Sequence, residues 1–193
     1  PDVPNTSPYG ENATAALWEN GQNWSVEWVD IPDPSAAEKT CRSQGQEAGA
    51  TTFQRGEGIY PDEEGVWFIA STAGHKGGGQ IFLYRPDTNQ LELALEVDDR
   101  SLLSCPDNLC VAPWGDLICT EDNYAYADGV THQHVRGLTR DGQVYDILRA
   151  RDQGENHPGP EFTGPCFSPD GSVLFVNVQR PLELALAIRG PWP

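Results

Sequence analysis

The chain has 193 residues, enough for one domain, or part of one, with an apolar core. Its 29 acidic residues outnumber 12 Lys and Arg, and the net charge of −17 excludes the basic face that non-specific binding to nucleic acid or to an anionic membrane requires. No apolar run approaches the roughly 18–20 residues that span a bilayer, so no membrane insertion is expected.

Residues 1–50 read as an extended connector. The first 35 are rich in Pro, Asn and Ser, and Ala36 to Gln46 is predicted as a short helix. Sequons stand at Asn5, Asn12 and Asn23, a number that chance explains about as well as glycosylation. A start at Pro1 and the lack of any Met point to a processed chain or a piece of a longer one.

From residue 51 an internal repeat takes over. Glu57-Gly58-Ile59-Tyr60-Pro61-Asp62-Glu63-Glu64-Gly65-Val66-Trp67-Phe68 aligns with Asp107 to Ile118 and again with Gly164 to Phe175. Each copy reads as polar or small residues, an apolar strand, a Pro-and-Gly turn and a second apolar strand. Gly79 to Tyr84 and Leu91 to Val97 add two strands to the first unit. His134 to Thr139 and Val144 to Leu148, around the Asp141-Gly142 turn, add two to the second.

Four short antiparallel strands per unit of about 50 residues predict an all-β fold of β-propeller blades, with a sandwich as the rival. The blades fall at 51–104, 105–158 and 159–193. Three blades make a partial propeller, because ring closure takes about four to eight. The remaining blades belong to a longer chain or to another chain, or else the ring is unusually small.

Five cysteines (Cys41, Cys105, Cys110, Cys119, Cys166) match no zinc spacing. They read as mostly buried, inert strand residues. A Cys105–Cys110 or Cys110–Cys119 disulfide in an oxidising compartment is the alternative.

The innermost strand of each blade lines a propeller's channel, so polar residues just before it converge on one axis. Those positions hold Arg55 and Glu57, Asp107 and Asn108, and Glu161, with Glu121 and Asp122 at a nearby strand end. Carboxylates aimed at one place repel one another unless a cation lies among them, and hard oxygen ligands suit calcium. Solvated acidic turn edges are the plainer reading. Arg55, two residues before Glu57, is expected on the same side, where its planar fork suits a phosphate or a structural pair with Glu57.

Other candidates are weaker. Gly74-His75-Lys76-Gly77-Gly78-Gly79 lacks phosphate-loop spacing and reads as a hairpin. His132 and His134 share a strand face, for metal binding or as a solvated loop, and His157 reads as loop.

The ordered motifs Phe53-Gln54-Arg55-Gly56-Glu57-Gly58, Pro106-Asp107-Asn108-Leu109, Trp114-Gly115-Asp116-Leu117 and Cys119-Thr120-Glu121-Asp122 resemble the PhoX family of secreted bacterial alkaline phosphatases. So do Glu161 to Gly171, Leu174 to Gln179, and the closing Ala187-Ile188-Arg189-Gly190-Pro191-Trp192. Val26 to Pro34 is similar to the family's inter-blade segment.

The resemblance implies a propeller whose mouth holds calcium and iron and hydrolyses phosphate monoesters. It also implies export by the twin-arginine route to the periplasm or the medium. Arg55 matches the substrate-contacting arginine and Glu57 a metal-binding glutamate, while Asp107, Asn108, Glu121, Asp122 and Glu161 fall in motifs that hold metal or shape the site. Family members are much longer, and the chain resembles their C-terminal half. Their N-terminal half supplies an iron-binding cysteine that none of the five cysteines here matches. The missing half, or another chain, is then the partner that completes the ring. The competing reading is a non-catalytic, calcium-stabilised propeller that acts as a binding or assembly module.

Overall fold

The structure, a computed structural model, describes residues 20–123, 132–151, 159–179 and 183–192. His157, Asn5 and Asn12 lie outside the described residues. In chain order the strands are β1 (Gln22–Ser25), β2 (Gly56–Pro61), β3 (Val66–Ala70), β4 (Gln80–Arg85), β5 (Gln90–Glu96), β6 (Pro106–Val111) and β7 (Leu117–Glu121). They continue with β8 (His134–Leu138), β9 (Val144–Arg149), β10 (Phe162–Phe167), β11 (Val173–Val178) and β12 (Leu184–Arg189). All ladders are antiparallel and form three sheets, ordered β1-β5-β4-β3-β2, β6-β7-β8-β9 and β10-β11-β12. These are propeller blades, and each sheet matches one copy of the repeat.

The turn chemistry within the repeat explains the hairpins. Asp62 Oδ1 accepts from the backbone N–H groups of Glu64 (2.8 Å) and Gly65 (3.1 Å), and Asp170 Oδ1 does the same for Ser172 at 3.0 Å. An aspartate bonded to the backbone two residues on is a self-contained reversal. It sets β3 against β2, and β11 against β10.

Burial separates stacked blades from a two-layer sandwich. Strands β7 and β8 are buried at every position, and β4 at four of six, because the sheets are covered on both faces. Trp67, Ile69, Ile81 and Leu83 pack against Leu109, Leu117, Cys119 and Leu138 between the first two blades. Cys110, Ile118 and Val135 pack against Phe162, Val176 and Val178 between the second and third. The outer face of the first blade is covered by its own chain: Phe53 stands edge-on to Phe68 and Phe82, at 5.1 and 5.2 Å, with Trp24 and Val26 beside them.

The connector stretch contributes more than a link. Residues 22–25 form β1 on the outer edge of the first blade, paired with β5. The helix is shorter than predicted, α1 at Cys41–Glu47, because Thr40 Oγ1 caps it by accepting from Ser43 N–H at 3.1 Å. Ala36 cannot join it: its φ of 53° is left-handed, in a turn held by Asp33. All five cysteines are free, with Cys105, Cys110 and Cys119 buried and Cys41 and Cys166 exposed, so neither disulfide forms and two of the five are not core residues.

Candidate functional site

The inner-edge strands β2, β6 and β10 lie side by side around the axis, and each carries a β-bulge near its start. Glu57-Gly58 together oppose one residue of β3, Asp107-Asn108 one residue of β7, and Gly164-Pro165 one residue of β11. A bulge puts an extra residue on one strand and re-aims its side chain. Arg55 (φ 51°) and Cys105 (φ 46°), each two residues before the acid, are both left-handed, so the same bent entry recurs in two blades. Arg55 therefore reaches Glu57 from a bent lead-in, not by strand alternation as expected.

Gly58 lets the blades approach. A Cβ there would lie 2.7 Å from the Asp107 carbonyl oxygen and 2.8 Å from Asn108 Cα, inside any real contact. The closeness brings Glu57 and Asp107 together. Glu161 arrives differently: the β10 residue equivalent to Glu57 and Asp107 is Gly164, and Glu161 joins from the residue before the strand.

Arg55 Nη2 is 3.0 Å from Glu57 Oε1 and 4.0 Å from Asp122 Oδ2. Burial, then the charges of Glu57 and Asp122, push the Asp107 carboxyl up to about 6 against the opposing pull of Arg55. Burial together with Asp122, Asp107 and Glu57 pushes Glu161 up to about 7. Gln179 Nε2 donates to Glu161 Oε1 at 2.8 Å. Four carboxylates and one guanidinium from three blades thus share one electrostatic environment near the starts of β2, β6 and β10. All their oxygens are hard donors, but among the described residues no three of these carboxylates bring oxygens within 4.8 Å of one another.

Two predicted residues are engaged elsewhere. Glu121 is 1% exposed, and its oxygens accept from the backbone N–H groups of Ser104 and His134, both at 3.0 Å. Its remaining partners are His134 Nδ1 at 3.0 Å and Arg136 Nε at 3.3 Å. Asn108 Oδ1 accepts from Gly164 N–H at 2.8 Å and from the Thr163 hydroxyl, joining the second blade to the third. The His132 and His134 rings lie 6.1 Å apart, with His134 turned onto Glu121.

Arg136, which also pairs with Asp146, was not singled out in the sequence. It lies 15 residues from Glu121, and only the β7–β8 register joins them. Gln179 was likewise missed. It closes the Leu174 to Gln179 motif, directly after the strand that pairs with β10, but no role was assigned to it.

A family model described as alkaline phosphatase PhoX matches residues 8–182. Among solved structures, Pseudomonas fluorescens PhoX in complex with vanadate, a transition state analogue, is similar with a TM-score of 0.58 and 19% identity. That match covers 76% of this chain and 34% of that one. Virginiamycin B lyase from Staphylococcus aureus gives a TM-score of 0.40 at 15% identity, covering 73% and 43%. No curated protein matches. The chain spans about a third of the length of the PhoX structure it resembles.

Proposed function

Because the chain belongs to the alkaline phosphatase PhoX family, we propose that it forms part of the mouth of a metal-dependent phosphomonoester hydrolase. The observation that supports this reading is the mutual charge coupling of Glu57, Asp107, Asp122 and Glu161 around Arg55, which together with burial raises Asp107 and Glu161 to about 6 and 7. Carboxylates so raised gain most from a divalent cation, and their all-oxygen chemistry suits calcium.

Glu57, Asp107, Asp122 and Glu161 would hold the calcium. Glu121 and Asn108 would serve as positioning residues, the first through Ser104, His134 and Arg136, the second by fixing the third blade. Iron, implied by the family resemblance, finds no thiolate or imidazole among these groups, and no ligand for it is assigned to them. Bound metal supplies charge neutralisation on the phosphoryl oxygens. The chain's own part is to bind and orient. Arg55, 38% exposed, offers a planar fork to two phosphate oxygens, and Gln179 holds Glu161 in place. Cations at the mouth would invert the local field of a chain with a net charge of −17, so an anionic ester could approach.

In keeping with the family resemblance, the site of action would be the periplasm or the medium after twin-arginine export. The test is release of p-nitrophenol from p-nitrophenyl phosphate by the complete protein in calcium, with and without a chelator. Chelator-sensitive, vanadate-inhibited turnover that falls at least 100-fold in Glu57→Gln is expected. Turnover unchanged in that variant overturns the assignment. Calcium binding without any turnover would favour the binding or assembly module, a reading that the exposed Phe175 and Leu184 of the third blade support.

A further inference from the structure

The loop that joins β3 to β4, residues 71–79, meets the end of β5 at a cluster the axial site does not use. His75 Nδ1 stands 2.5 Å from Glu96 Oε1, and Nε2 is 3.2 Å from Asp98 Oδ1. Among the described residues these three side chains present ligand atoms that all lie within 4.8 Å of one another. Glu96 is buried, and the backbone closes over it: Gly74 is left-handed, and a Cβ there would sit 3.2 Å from Glu96 Oε1.

A second, independent feature lies on the buried side. Gln80 is fully buried and donates Nε2 to Glu96 Oε2 at 2.7 Å, while its Oε1 has no hydrogen-bond partner. Buried polar atoms are almost always partnered, and a water or a cation would satisfy this one.

A lone pair on Nδ1 and a carboxylate oxygen cannot face each other at 2.5 Å without a positive centre between them. A proton would serve for that pair, but it leaves Gln80 Oε1 orphaned. A metal beside Glu96 has the imidazole nitrogen in its neighbourhood, and a turn of the Gln80 amide, which faces Glu96 through Nε2, would bring Oε1 to it. In that arrangement Nε2–H donates to Asp98, the carboxylate–histidine–metal relay that orients a ligating ring. Asp98 also lines an open cleft of about 690 Å³ with Lys76, Asp99 and Arg100.

We propose that His75, Glu96 and Gln80 bind a divalent transition metal of the zinc class, with Asp98 as the positioning residue. One imidazole with oxygen donors distinguishes this site from the all-oxygen axial group. Its place at the β4 and β5 ends sets it two or three strand spacings outward from β2, about 10–15 Å. The metal would tie down the loop whose Gly78 carbonyl accepts from Cys105 N–H at 2.7 Å, two residues before Asp107.

The test is a zinc titration of the full chain at pH 7.5 against a chromophoric chelator, with circular dichroism to check folding. Wild type and Glu57→Gln should each show one chelator-competitive zinc. His75→Gln should lose it, and Asp98→Asn, at an exposed position, should weaken it 10- to 100-fold. Cobalt-loaded wild type should show a visible absorption band that His75→Gln lacks. Equal zinc affinity in wild type, His75→Gln and Asp98→Asn overturns the proposal, and so does the absence of any competitive zinc in wild type.

Discussion

Asp107 is the residue where opposing forces meet most directly. It is buried, faces the charges of Glu57 and Asp122, and has only Arg55 to pull its carboxyl back down. In the metal-free chain its negative charge is therefore a cost, and under the proposed function it would become a calcium ligand. Asp107→Asn should raise the thermal midpoint in chelator at pH 8, by the equivalent of about 1 kcal/mol, and should weaken calcium binding at least tenfold. Melting curves and calcium titrations on the same preparations check the two signs together. Residue identity alone suggested this group, since acids before the inner strands stand out in the sequence. What it could not reveal was the division of labour. Asp122 stays with the site, whereas Glu121 beside it turns to Ser104, His134 and Arg136.

At the scale of the element, the inner-strand bulge does most to place the site. Without it, alternation would put adjacent residues such as Glu57 and Gly58 on opposite faces with no re-aiming. The bulge works only because Gly58 allows the β2 backbone to lie against Asp107 and Asn108. Gly58→Ala must push the two strands apart, which should destabilise the fold by about 1–3 kcal/mol. It should also lower calcium affinity through the displaced Glu57–Asp107 pair, to be measured by denaturant unfolding and calcium titration. The repeat made the strands and their turns legible, with boundaries within a residue or so for β4, β5, β8 and β9. Strand β1 was not legible, because Gln22 to Ser25 acquires its partner from β5 about 70 residues later. The left-handed Ala36 that keeps the helix from starting where predicted is likewise set by local capping at Asp33, which composition does not display.

At the scale of the whole molecule, charge and blade stacking oppose each other. Asp107 and Glu161 have folded-state values raised above those of the unfolded chain. The fold therefore has this contribution in full below about pH 4 and loses it as pH rises through about 6 to 7. The aspartates held low by their own turns, such as Asp170 at about 2, titrate below that window. In chelator the thermal midpoint should fall between pH 5 and pH 8, and calcium should remove most of the fall. A midpoint that rises over this interval without metal would contradict the arrangement. Taken by itself, the sequence determined the fold class, the repeat and the acidic rim, because turn aspartates, apolar strand runs and residue charge act over a few neighbours. The tertiary structure alone decided which carboxylates share a field and which are tied into the core. Those outcomes depend on bulges, register and blade-to-blade contact between residues some 50 positions apart.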